Sequence, residues 1–158
     1  MSTSFMDLRG VHADLGEVFA AFQYALLDQE LDRAEGLLKR FRKDLLAHMR
    51  LEEEVLIPIY AEGPIQPAGK VVYFESEHRK LLEMLDGLKE GLEAARAAPK
   101  EEFHPALLAV VDASCHYTHF TEHHEMREER YLFPGLDERV GDEEERRALM
   151  AGGKPAGA

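Results

Sequence analysis

Cysteine is nearly absent from this chain: Cys115 is the only one in 158 residues. An intramolecular disulfide is therefore excluded, and so are multi-thiolate metal sites and CxxC redox chemistry. Tryptophan is missing. No apolar run approaches the roughly 20 residues that a membrane-spanning helix needs. No segment sustains the apolar–polar alternation with β-branched residues that marks a strand. Positive charge is also scarce, with 19 Lys and Arg against 31 Asp and Glu, for a net charge of −12. Without a basic stripe, neither nucleic acid nor an anionic membrane is an expected partner. The first residues, Met-Ser-Thr-Ser-Phe-Met-Asp, show no basic stretch followed by an apolar one, and the expected compartment is the cytoplasm. What is present is 45% hydrophobic and 32% charged, the composition of one globular domain. That domain is expected over residues 1–150, with a disordered tail over 151–158 rich in Gly, Ala and Pro.

Four segments carry helical periodicity. The first starts near Ser4 to Asp7 and runs to about Gln29, with the stripe Leu8, His12, Leu15, Phe19, Phe22, Leu26. The second starts at Asp32, where Asp32 and Glu35 resemble a capping box, and runs to about Tyr60. Its stripe is Phe41, Leu45, His48, Glu52, Val55, Ile59. A loop over residues 62–69 leads to a third helix over about 70–97, with Val71, Phe74, His78, Leu81, Leu85, Leu88 and Leu92 in line. The fourth runs from about 105 to 133 through Val110, Ser114, Tyr117, Thr121, His124, Glu128 and Tyr131, and Asp142 to Met150 forms a short extra helix. Long helices with short connections predict an all-α fold, an up-down-up-down antiparallel four-helix bundle.

The stripes are apolar except where they carry His12, His48 with Glu52, His78, and, in a more mixed stripe, His124 with Glu128. Moreover, the run from His48 to Pro58 and the run from His124 to Pro134 both read H-x-x-x-E-E-x-x-L-[IF]-P. A histidine and a glutamate four residues apart share one helix face. Polar side chains on a buried seam are costly unless something satisfies them. Counted at 1.5 Å per residue, His12 and His48 both lie roughly 25 Å from the first turn. His78 and His124 are likewise matched in depth about the last turn, and Glu52 and His78 about the middle one. The donors therefore fall at one level, nearer the end bearing the 62–69 loop.

Imidazole and carboxylate without thiolate suit iron, manganese or zinc, and two carboxylates suit a two-metal site. Such a site leaves positions for a small diatomic ligand. His123 rivals His124, because His123-x4-Glu128 is also a workable ligand spacing. Tyr117 points towards the site, lining it or filling the core. His104 is expected at the surface, as are Glu53 and Glu129, and His116 and His119 are expected either at the surface or behind the ligands.

At these residues the chain resembles the hemerythrin-like, or HHE cation-binding, family over about residues 8–136. The resemblance implies a hemerythrin-like bundle with a non-haem di-iron centre, zinc or manganese being substitutes. It implies that Glu52 and Glu128 bridge two irons, with His12 and His48 on one and His78 and His124 on the other. Two departures stand out. Leu82 occupies the place of a second third-helix histidine found in the oxygen carriers, and the closing motif is HxxxE rather than HxxxxD. The implied function is a di-iron protein that binds or senses oxygen or nitric oxide, or handles iron. The alternative is a di-iron enzyme with peroxidase, oxidase or nitric-oxide-consuming activity. Partners beyond the diatomic ligand stay open between a second copy of the chain and another protein.

Overall fold

The computed structural model describes residues 2–153. It is all-helical, with no strand among the described residues. After a short 3-10 turn at Phe5–Leu8, α1 spans Arg9–Leu27 and α2 spans Leu31–Leu51. A π-helical turn, Glu52–Leu56, carries α2 without a break into α3, Ile57–Tyr60. The helices α4, Val71–Ala97, and α5, Phe103–Arg127, follow. A second π turn, Glu128–Leu132, continues α5 into α6, Phe133–Arg139, and α7 spans Glu143–Met150. Of the expected tail, Ala151–Gly153 turn back on α7, with Gly153 N–H donating to Ala148 O at 2.7 Å, and residues 154–158 lie outside the described residues.

Contacts between stripes set the neighbours. His12 meets His48 and Phe19 meets Phe41, so α1 and α2 run in opposite directions. Arg42 bonds Asp86 while Arg96 bonds Glu35, which reverses α4 against α2. Gln23 bonds Ser114 while His12 meets Glu128, which reverses α5 against α1.

The two π turns fall on the two copies of the sequence repeat. In each, the N–H of the residue before proline reaches back five residues: Ile57 to Glu52 O, and Phe133 to Glu128 O. Pro58 and Pro134 follow at once and have no N–H, so a carbonyl in the preceding turn lacks its usual donor. A wider turn absorbs that missing rung, and π turns of this kind recur at functional sites. The extra residue also slips the periodicity. Val55 and Tyr131, expected on the buried stripe, are only half-buried, and Leu56 and Leu132 take their places at 0% exposure.

The buried apolar side chains form two clusters. One, built on Leu15, Phe19, Phe41, Leu81, Leu85 and Tyr117, fills the end of the 28–30 and 98–102 turns. The other, built on Phe5, Leu8, Leu56, Phe74, Leu132 and Phe133, fills the end of the 62–69 loop. His12, His48, Glu52, His78, His124 and Glu128 form a buried polar layer between them.

The start of α2 differs from expectation. The helix begins at Leu31 behind Glu30, with no side-chain cap. Asp32 and Glu35 instead accept hydrogen bonds from Arg96 at the end of α4. An inter-helix guanidinium competes better for these carboxylates than a backbone N–H does. The capping box lies earlier, at Ser4 and Asp7. The chain ends are tied together, since Arg146 of α7 donates to Thr3 O at 2.7 Å, Asp137 O at 2.9 Å and Val140 O at 2.6 Å.

Gly69 is where the 62–69 loop closes on the bundle. Its carbonyl accepts from the Tyr60 hydroxyl at 2.8 Å, and an added Cβ would stand 2.8 Å from Tyr131 Cβ. Tyr131 cannot swing away without moving its backbone. Gly69→Ala should therefore destabilise by about 1–3 kcal/mol, read as a lower melting temperature. Gly36→Ala, where a Cβ meets nothing, should match or exceed the parent.

Candidate metal centre

Each donor-bearing helix brings its side chain to the layer between the two apolar clusters. His12 comes from α1, His48 from the end of α2, His78 from α4 and His124 from the end of α5. Glu52 and Glu128 open the two π turns. All six are buried, and the two glutamates are 0% exposed. They fall into two quartets, His12–His48–Glu52–Glu128 and Glu52–His78–His124–Glu128, each with one donor atom per residue within 4.8 Å of the others. The glutamates belong to both.

The two oxygens of each carboxylate face different quartets. Glu52 Oε1 stands 3.0 Å from His48 Nε2, and its Oε2 stands 3.1 Å from His78 Nε2. Glu128 Oε2 stands 3.1 Å from His12 Nε2, and its Oε1 stands 2.6 Å from His124 Nε2. These short approaches are not hydrogen bonds, because all four carboxylate oxygens and His78 Nε2 lack a partner of acceptable direction. His12 Nε2 and His48 Nε2 stand 3.0 Å apart in the first quartet. Buried carboxylate oxygens left without donors carry a heavy desolvation cost. A cation between nitrogen and oxygen answers that cost, so the donor set fits two metal ions of the iron, manganese or zinc class.

The rear nitrogens of the imidazoles divide the centre. His78 Nδ1 donates to Glu53 at 2.7 Å, and His124 Nδ1 donates to Glu77 at 2.8 Å. Glu77 is itself held by Arg127 Nε at 2.7 Å, and Arg127 also donates to Ala68 O in the 62–69 loop at 2.6 Å. Such bonds fix the orientation of each ring, with Nε2 turned inward. By contrast, His12 and His48 have no partner on Nδ1, and Glu129 comes only to 4.0 Å of His12.

Sequence reasoning assigned Glu53 to the surface and did not single out Glu77. Glu53 is indeed 44% exposed, yet it still reaches His78. Its position beside the π turn, and the place of Glu77 next to His78 in the chain, were the only signals available. His123 is exposed, and His124 is the one turned inward. His104 is exposed as expected, and His116 and His119 are exposed too. Tyr117 is buried and packs on Phe19 and Phe41.

A cavity of about 10 Å³ opens within the layer, bounded by His12, His48, His124, Glu128, Leu45 and Leu81. It has room for about one water molecule, and so for a ligand of one or two heavy atoms. Besides the imidazoles and leucines, Thr121 and the Glu125 carboxylate also line it.

A family model for the hemerythrin HHE cation-binding domain matches residues 69–151, just over half of the chain. The match includes His78, His124 and Glu128, and it begins after the first copy of the repeat. No curated protein and no solved structure matches the chain.

Electrostatics favour positive charge at the centre. Burial opposes a proton on His78, but the Glu128 and Glu52 carboxylates outweigh it and hold the group up to about 10. Burial likewise opposes a proton on His124, and Glu128 and Glu77 hold it up to about 9. Both values lie above the roughly 6.5 of an unfolded histidine. Their contribution to stability is therefore full below that value and is lost as pH rises through 9 to 10. In metal-free protein the melting temperature should fall between pH 7 and pH 10, by roughly several degrees. Divalent metal in place of those protons should flatten the profile. A flat profile in metal-free protein contradicts this account, and differential scanning calorimetry across that range decides it.

Proposed function

Because the chain belongs to the hemerythrin HHE cation-binding domain family, we propose that it is a non-haem di-iron protein that binds or senses oxygen or nitric oxide, or handles iron. The observation that carries this reading is the pair of buried carboxylates, each with two unpartnered oxygens turned to opposite histidine pairs. Its scaffold is an up-down-up-down bundle of four long helices in which α2–α3 and α5–α6 each count as one, with residues 1–150 as the domain. The proposed ligands are His12, His48, Glu52, His78, His124 and Glu128, the two glutamates bridging.

Bound ferrous ions would supply electrons and open positions to a diatomic ligand. The residues do the rest. The apolar clusters above and below the layer keep bulk water out. Glu53 and Glu77 hold the rings of His78 and His124 and raise their donor strength. Leu45 and Leu81 limit the small cavity to a ligand of one or two heavy atoms. With Leu82 where the oxygen carriers have a histidine, the iron at His78 and His124 has one imidazole fewer. That opens the centre and favours sensing or turnover over stable oxygen carriage. The proposed setting is the cytoplasm, and no described helix is long and apolar enough to cross a membrane.

Protein purified without oxygen should carry about two iron ions per chain. Its absorption spectrum should change on adding oxygen or nitric oxide. Negligible iron with no spectral response ends this reading. His48→Ala and His124→Ala should each lower the iron content and remove the rise in melting temperature that iron brings. Glu77→Gln should weaken iron at the His78–His124 position by about 10- to 100-fold, whereas Glu129→Gln should leave both positions unchanged. Equal effects of the two substitutions would contradict the inequivalence of the two ions.

A further inference from the structure

The seams between neighbouring helices meet solvent with different charges. At the α4–α5 seam Arg127 stands outside His124, bonded to Glu77 at 2.7 Å, so a cation approaching there meets a guanidinium. At the α2–α4 seam the Glu53 carboxylate is taken by His78 Nδ1 at 2.7 Å. The groove between α1 and α2 is lined by Asp14, Glu17, Arg40 and Asp44 and reaches none of the six donors. The α1–α5 seam differs from all three. Glu122 and Glu125 line its groove, no Lys or Arg does, and it ends against His12.

Two spaces meet at this seam. Inside is the cavity of about 10 Å³ in the buried layer, and outside is a groove of about 270 Å³ open to solvent. His12, Leu15, Leu45, Thr121 and Glu125 line both. They form the partition between the centre and bulk water. His12, Leu15 and Leu45 are buried, and only Thr121 and Glu125 are half-buried. The groove comes this close because α1 is bare one turn after His12, where a Cβ added at Gly16 would meet nothing within 4 Å.

Glu125 is the charged member of the partition and belongs to neither quartet. It lies three residues before Glu128 on α5, near the same helix face. No Lys or Arg among the described residues forms an ion pair with it. Its carboxyl is pushed up by burial, pulled down by His12 and His124, and pushed up by Glu128 and Glu129, so it stands within electrical reach of the centre. Beyond it, the inner cavity is bounded by groups that favour a cation. Both Glu128 oxygens and His12 Nδ1 are buried without a partner, and both residues line that cavity.

We propose that the α1–α5 seam is the route by which divalent cations enter the centre, and that Glu125 is the carboxylate that receives them before His12 and Glu128 do. This inference rests on the two-metal reading of the centre. The acidic groove raises the local concentration of cations. The Glu125 side chain turns about three bonds and carries its carboxylate between groove and cavity without a backbone shift. Its role is transit, so it governs the rate of loading and not the amount held.

Uptake of Co²⁺, a coloured stand-in for ferrous iron of equal charge, by the metal-free full chain tests the route by stopped-flow absorption. The parent should take up about two ions. Glu125→Gln should slow uptake about 3- to 10-fold at low salt and leave the amount and affinity at equilibrium unchanged. Gly16→Leu covers the groove from α1 and should also slow uptake, while the melting temperature of the metal-free chain is kept or raised. Asp14→Asn removes an equal charge from the α1–α2 groove and should leave the rate unchanged. Added salt should slow the parent and narrow its lead over Glu125→Gln.

An unchanged rate in either Glu125→Gln or Gly16→Leu overturns the proposal. Equal slowing by Asp14→Asn also overturns it, because net charge alone would then set the rate. Lost affinity in Glu125→Gln does so as well, since Glu125 would then be a resident ligand. Should Glu125→Gln fail to fold, Gly16→Leu decides alone. No uptake by the parent ends the two-metal reading and the route together, whereas full uptake at unchanged rates ends only the route.

Discussion

Two carboxylates buried at 0% exposure, faced by imidazoles alone and without a well-aligned hydrogen-bond donor, are the constraint on which the rest of this molecule depends. No apolar core tolerates them unaided, because the penalty for an unpaired buried charge runs to several kcal/mol. Histidines supply the compensation in the protein itself, by holding protons well above their ordinary range at His78 and His124. Metal would supply it more completely. Any metal held by these groups would therefore be coupled to folding, and a change in one should register in the other.

The architecture follows from keeping this polar layer at one height. Each helix passes from one apolar cluster to the other and changes character only where it crosses the layer. The π turns lie at that crossing on the two glutamate-bearing helices and place Glu52 and Glu128 at their first residues. The wide turn reconciles a proline required by the local chain path with a carboxylate required by the centre. The 62–69 loop adds a further support, since Ala68 O holds Arg127, which holds Glu77, which holds His124.

Much of this is legible in the sequence. The 3.6-residue period marked four helices, and the donors stood out because each interrupted an apolar stripe. Depth counting from the turns brought His12, His48, His78 and His124 to one level, where the structure has them in contact with the two glutamates. The unread parts have physical causes. A π turn adds a residue that a fixed period cannot anticipate, so Val55 and Tyr131 were assigned burial that belongs to Leu56 and Leu132. The bonds of Glu53 to His78 and of Glu77 to His124 cross between helices, and no spacing along one chain segment encodes them. Arg96 drew Asp32 and Glu35 away from a cap for the same reason.

The exchange of carboxylates between quartets has one more outcome. The α1–α2 hairpin brings His12, His48 and Glu52, and the α4–α5 hairpin brings His78, His124 and Glu128. Each half thus holds three donors of one quartet and takes the fourth from the other half. A chain nicked in the loop between them would yield two fragments that are each one tooth short. The buried polar layer is thus complete only when both hairpins are in place, which interlocks the two halves of the bundle.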